Sequence, residues 1–301
     1  MDTQTYIHTH TEARAAGQAG GHSQRIVVKL GGEVLLNSPG LDSLAGQVAA
    51  LVRDGVGVVV VHGGGPQADA LAARLGHRVR KVAGRRITDD DALEVAKMVY
   101  GGSINVELVA AVGRHGARAV GLSGVDAGLI RVTRRPPTPV LDPATGTEEW
   151  VDFGHVGDVR SVDVWILELL IGAGCVPVVA SLAADHQGRI YNVNADTVAQ
   201  ALAVALGACR LVLVTNVPGI LRDSSDPASV LPVCTPRDIQ AMVEAGTISG
   251  GMLPKVHNCI AALRGGVRTV QILDGTLPHP PLLDSIRGDI IAGTLVSDGD
   301  E

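Results

Sequence analysis

From residue 25 onward, short runs of Val, Ile and Leu alternate with longer segments whose apolar positions recur at helical spacing. RIVVKL (25–30) predicts a strand, SLAGQVAALVRDG (43–55) a helix closed by Gly55, and VGVVVVHGGG (56–65) a strand running into glycines. PQADALAARLG (66–76) reads as a helix with Pro66 in the first turn, where proline is tolerated. The segment 89–116 predicts a helical pair or one long helix, and ARAVGLSG (117–124) a continuous apolar strand of the parallel kind. Residues 131–159 change character: proline clusters, turn residues and short β-like runs predict a hairpin-like insertion. The alternation then resumes with a helix at 162–174, strands at 175–183 and 209–217, and a helix at 194–208 between them. A looser stretch from Pro218 to Arg237 precedes helices from Asp238 and Pro254 and a strand at 267–273. Alternating strands and helices with short links predict an α/β fold, a three-layer αβα sandwich around a mostly parallel central sheet.

Composition narrows the class. Aromatic residues are 2% of the 301, so the core must be built from Val, Leu, Ile and Ala, which argues against stacking platforms for single-stranded nucleic acid. The formal charge of −6, with no basic block, argues against a nucleic-acid partner. Four widely spaced cysteines without a CxxC pair read as free thiols of a reducing compartment. No unbroken apolar run approaches the length of a membrane span, and residues 1–24 form a polar tail without the apolar stretch of a signal peptide. The expected location is the cytoplasm, with no membrane partner.

Candidate chemistry gathers where strands end. Gly31-Gly32, Gly63-Gly64-Gly65, Gly121 with Gly124, and Gly219 lie at or after C-terminal strand ends, the edge at which open parallel sheets bind ligands. Such glycines let anionic oxygens approach backbone N–H groups, and a following helix adds its N-terminal dipole. One such turn is only a tight connection, but several on one edge favour an anion site. Neither GxxxxGK[ST] nor a GxGxxG after the first strand is present, so counter-charge must come from elsewhere. Lys29, at the end of the first strand, and Lys255, after the Gly250-Gly251 loop, are the candidates. In YNVNADT, Asp196 reads as a helix-capping or first-turn acid, whereas two alternating asparagines, Asn192 and Asn194, point to a polar ligand. Arg85 and Arg86 precede a helix start at Thr88 and could clamp a carboxylate or simply be solvated.

VVKLGGEVL, VVVVHGGGPQADAL, RRITD, VDFGHVGDV, YNVNADT, LVTNVPGIL and GGMLPKV, in order from about residue 25 to 296, resemble the amino acid kinase family. Within it they resemble the branch that phosphorylates N-acetyl-L-glutamate. The resemblance implies an N-terminal lobe (25–190) for the acyl amino acid and a C-terminal lobe (191–301) for ATP, used with Mg2+ and without a protein-bound metal. It implies transfer of the γ-phosphoryl group to the substrate's γ-carboxylate in arginine biosynthesis. It carries Lys29, Lys255, Asp196, Gly32 and Gly64 over as catalytic, and Gly64, Gly65, Arg86 and Asn192 as substrate contacts. The ATP contacts fall on Asn216, Val217, Pro218, Gly219, Ile220 and Leu221, and on Thr247, Ile248 and Ser249. A homodimer is expected, with a higher oligomer as the alternative. Asn216 stands where members commonly carry aspartate, and Val125 where lysine is common. The other readings are a sister kinase for carrier-protein-bound aminoadipate or glutamate, and a non-catalytic acetylglutamate or arginine sensor.

Overall fold

The valine-rich runs become strands of one eight-stranded sheet in a computed structural model that describes residues 24–82, 85–141 and 148–299. The expected polar tail lies outside the described residues except for Gln24, which already belongs to the first strand. Along the chain, β1 (Gln24–Leu30) leads to α1 (Ser38–Arg53), and β2 (Val56–His62) to α2 (Gly65–Arg74). Two short antiparallel strands follow, β3 (Lys81–Val82) and β4 (Arg85–Arg86). One continuous helix comes next: α3 (Asp90–Ala96), a π-helical turn (Lys97–Ile104) and α4 (Asn105–Arg114). Then come β5 (Arg118–Ser123), β6 (Ile130–Arg134), the hairpin β7 (Thr138–Leu141) and β8 (Glu148–Val151), and β9 (Gly157–Val162). α5 (Trp165–Gly172), β10 (Cys175–Ala180), β11 (Leu182–Ala184), β12 (Ile190–Asn192) and α6 (Ala195–Ala205) continue the chain. It closes with β13 (Arg210–Thr215), β14 (Val233–Cys234), α7 (Pro236–Glu244), α8 (Met252–Arg264), β15 (Thr269–Asp274), α9 (Leu282–Arg287) and β16 (Thr294–Val296).

The sheet order is β14-β16-β15-β13-β1-β2-β10-β5, and every pairing is parallel except β15 with β16. A second, four-stranded sheet, β12-β11-β6-β9, carries the insertion. Strand periodicity separates two cores. Ile26 and Val28 pack with Leu44 and Val48 of α1 and Val112 of α4, whereas Val27 packs with Val198 and Leu202 of α6. Each fully buried aliphatic side chain contributes about 1.5–3 kcal/mol relative to exposure. β2, buried at all seven positions, is therefore held from both faces.

Two expectations change, and a third meets a test. The 117–124 run forms the edge strand β5, whose positions are half-buried or exposed, because no strand among the described residues pairs beyond it in the sheet. The run 175–183 breaks at Ser181 into β10 and β11, which belong to different sheets. The helix Asp90–Arg114 tolerates enough scattered charge to be long and apolar enough for a membrane by length and composition, but half of its most apolar window is buried inside the fold. It is a core helix, packed on β5 and β10.

Candidate active site

Lys29 shares the parity of Val27, so β1 sends it toward the α6 layer. There its ammonium lies 2.6 Å from Asp196 Oδ1, each side chain being only 8% exposed. Asp196 occupies the first turn of α6, and its neighbour Asn194 is the cap: Asn194 Oδ1 accepts from the N–H groups of Asp196 (2.8 Å) and Thr197 (3.3 Å). Asn194 thus caps the helix through its side-chain oxygen while also lining the adjoining cavity, and the Asp196 carboxylate is left to turn inward. Lys255, in the first turn of α8, donates to Asp196 Oδ2 at 3.1 Å. One buried carboxylate therefore holds two ammonium groups.

Burial alone would push the Asp196 carboxyl up; the charges and hydrogen bonds of Lys29 and Lys255 overcome this and hold it at about 2. The Lys29 ammonium is lowered from its ordinary value chiefly by burial, with the like charge of Lys255 adding and Asp196 opposing. The cluster is one positive charge in excess, which favours an incoming anion.

The glycine loops stand beside it. A Cβ on Gly32 would lie 2.6 Å from Pro66 Cδ, and one on Gly64 would overlap Ile104 Cδ1 and press on Tyr100, so backbone alone fits here. α2 starts at Gly65 with Pro66 in its first turn, aiming unpaired N–H groups at the same space. Arg86, from β4, donates through Nη2 to the Gly65 carbonyl (2.9 Å) and closely to Asp69, which also accepts from Lys81 at 2.7 Å. Arg86 Nη1 is buried and has no hydrogen-bond partner among the described residues. Asn192 donates to Thr88 Oγ1 at 3.2 Å.

A cavity of about 360 Å3 brings Lys29, Gly32, Gly64, Gly65, Arg86, Asn192 and Asp196 together, a size suited to a small amino-acid derivative. Lys81, Arg85, Tyr100, Arg135, Ser181 and Asn258 also line it, although sequence reasoning gave them no site role beyond the even-handed reading of Arg85. Asn258 carried a signal, three residues beyond Lys255 on one helix face. Tyr100 carried none, because only the π-helical turn brings it to Gly64.

The segments 216–221 and 247–249 do not line this cavity. They sit beyond β13 and before α8. Gly219 has φ +153°, and a Cβ there would lie 2.5 Å from Thr294 Oγ1, to which the Ile220 N–H donates at 2.8 Å. Ile248 is buried and donates its N–H to the Met242 carbonyl at 3.2 Å. Gly121 and Gly124 do not line this cavity either. Gly121 lies within β5 and makes room for the Asn105 side chain, and a Cβ on Gly124 would lie 2.5 Å from the Leu182 carbonyl. All four cysteines are free; burial pushes the Cys234 and Cys259 thiols up to about 11 and 12. Among the described residues no cluster of three or more His, Cys, Asp or Glu side chains could hold a metal ion.

Residues 24–274 match the amino acid kinase family. The chain belongs to that family. This amino acid kinase is 42% identical over 272 residues to the acetylglutamate kinase of Methanothrix thermoacetophila, a match covering 90% of this chain and 92% of that protein. It is 47% identical over 253 residues to the acetylglutamate kinase of Sorangium cellulosum, covering 84% and 88%. Among solved structures, the N-acetylglutamate synthase of Neisseria gonorrhoeae complexed with coenzyme A and N-acetyl-glutamate superposes with a TM-score of 0.75 at 25% identity. That match covers 91% of this chain and 59% of the synthase chain. Family membership and the helix-flanked, mostly parallel sheet agree with the expected αβα sandwich, and kinases of this family draw their phosphoryl group from ATP.

Proposed function

We propose that this amino acid kinase transfers the γ-phosphoryl group of ATP to the γ-carboxylate of N-acetyl-L-glutamate, yielding N-acetyl-L-glutamyl 5-phosphate for arginine biosynthesis. The observation that carries the reading is the Lys29–Asp196–Lys255 cluster, whose Lys29 and Asp196 line a cavity together with Arg86, a guanidinium with one nitrogen left without a partner among the described residues. The acceptor carboxylate is already ionised at neutral pH, so the reaction needs no strong general base. The obstacle is bringing two anions together and stabilising charge on the transferring oxygens. Lys29 and Lys255 supply that charge, and Asp196 positions both ammonium groups without acting as a base. The N–H groups of Gly32 and Gly64 hold phosphoryl oxygens as fixed dipoles. Arg86 Nη1 pairs with the α-carboxylate, beside Gly65 and Asn192. The acyl amino acid belongs to the 25–190 lobe, and ATP to the 191–301 lobe along 216–221 and 247–249.

Mg2+ enters on the nucleotide phosphates. By the same family likeness the enzyme works as a homodimer in the cytoplasm, without nucleic acid or membrane, which sedimentation and fractionation test. The reaction itself is tested by trapping the acyl phosphate with hydroxylamine in the presence of ATP, Mg2+ and free N-acetyl-L-glutamate, with L-glutamate and N-acetyl-aminoadipate in parallel. Hydroxamate formation that collapses in Lys29→Ala and Lys255→Ala protein is the expected result. Silence with every free substrate from protein that still binds ATP points instead to a carrier-bound acceptor or a sensor.

A further inference from the structure

His62 ends β2 fully buried, and phosphoryl transfer as outlined gives it no task. Its Nδ1 lies 2.9 Å from the Gly63 carbonyl oxygen, and its Nε2 lies 3.0 Å from Asn105 Nδ2. A carbonyl can only accept and an amide nitrogen can only donate, so the ring is neutral with its proton on Nδ1. The Asn105 amide is oriented by the same logic, because Nδ2 also lies 2.9 Å from the Val178 carbonyl and 3.3 Å from that of Leu122. One side chain thus ties together the ends of β2, β10 and β5, and Gly121 lacks a Cβ where Asn105 Oδ1 sits. Burial brings the imidazole down to about 4, in keeping with a neutral ring.

The same helix grips the glycine loop a second time. Asn105 directly follows the π-helical turn, and Tyr100 and Ile104 of that turn are the side chains a Cβ on Gly64 would strike. The described chain has no cis peptide, so across the Gly63–Gly64 bond the carbonyl and the N–H point in opposite directions. Holding the Gly63 carbonyl against His62 therefore aims the Gly64 N–H away from His62.

We propose that His62 and Asn105 are positioning residues for phosphoryl transfer. The relay from Asn105 Nδ2–H to His62 Nε2, and from His62 Nδ1–H to the Gly63 carbonyl, sets the peptide plane that directs the Gly64 N–H toward the transferring oxygens. This rests on the acetylglutamate kinase reading above. A side chain that only filled space would alter stability, whereas this pair acts on the chemical step.

The test combines spectroscopy and kinetics. In wild-type protein labelled with 15N-histidine, His62 is expected to show a protonated Nδ1 and a bare Nε2 at pH 7; the opposite tautomer overturns the proposal. In the hydroxamate assay His62→Leu is expected to lower kcat about ten- to hundredfold, with the acetylglutamate KM within about threefold, the scale of a small misalignment of a reacting group. His62→Asn, whose amide can still donate to Gly63, is expected to recover part of that loss. An unchanged kcat, or a change confined to KM, overturns the proposal. Should His62→Leu fail to fold, the wild-type tautomer and the Asn variant decide the matter. Wild-type protein inactive on acetylglutamate sinks the functional reading; active wild type with unaffected His62 variants sinks only the positioning role.

Discussion

Around the cavity, Lys29, Arg86 and Asp196 have side chains at most 8% exposed, each held by an ion pair or hydrogen bond. Beyond β13, Asn216 and Ser249 are exposed, and the fixed points are backbone groups: Gly219 against Thr294, and Ile248 on the Met242 carbonyl. The first region is specified by buried charge and the second by chain shape. Under the proposed reading, an acyl amino acid is selected by side chains that already pay for their desolvation in ion pairs, while a nucleotide is received along a backbone contour.

That contrast can be broken most forcefully at Asp196. Asp196→Asn leaves Lys29 and Lys255 without their shared anion and is expected to cost about 3–5 kcal/mol of stability, read as a lower urea midpoint, together with most of the kinase activity. An unchanged midpoint would mean that the carboxylate is not what holds the lysines. Next in size, Arg86→Gln is expected to raise the acetylglutamate KM by about ten- to hundredfold, the loss of a hydrogen bond to a charged group, while the ATP KM barely moves. Equal shifts in both KM values would erase the distinction between the two regions. From the other side, Gly219→Ala meets Thr294 Oγ1 and a positive φ, and is expected to raise the ATP KM by roughly tenfold at constant acetylglutamate KM.

The smallest effect is a displaced pH limb. Because the Lys29 value is lowered, its charge is lost below 10.5, and kcat/KM should show an alkaline limb below that pH. Stability runs the other way. Between the lowered folded value and 10.5 the unfolded chain binds more protons, so this group's contribution to stability rises with pH. Asp196, held at about 2 against 3.8, stabilises fully above the unfolded value and loses that contribution as pH falls through about 2. An alkaline limb at or above 10.5 would show Lys29 to be solvated.

Local patterning made the sandwich legible, since the Val-rich strands and their intervening helices read directly from the chain. It did not show the antiparallel β16, the edge position of β5 or the split at Ser181, because pairing partners are chosen across long sequence separations. At the site, glycines at strand ends, Lys29 beside one pair of them and Lys255 after a glycine loop stood out as anomalies against an apolar background. Asn194 read only as a ligand group, because capping by its side chain becomes visible only once α6 starts at Ala195; it caps α6 and lines the cavity as well. The bond between His62 and Asn105 spans 43 positions and joins two residues that each look ordinary alone. Asp69 was overlooked for the same reason, as a helix-face acid whose partners Lys81 and Arg86 arrive from a later hairpin.

β1 pairs with β2 on one side and β13 on the other, so that Leu30 lies opposite both His62 and Val214. With neighbouring strands about 4.8 Å apart, the two outer strand ends are separated by roughly 10 Å of hydrogen-bonded lattice. Under the proposed reading, with the acceptor on the β2 side and the donor on the β13 side, the gap between them is a gauge machined into the sheet. An acceptor one methylene longer cannot be accommodated by sliding one half of the molecule along the other, because every ladder bond would slip register together. A change of acceptor length has to be made in the cavity walls, where Tyr100, Arg135 and the hairpin-borne arginines can be recut while the gauge stays as it is.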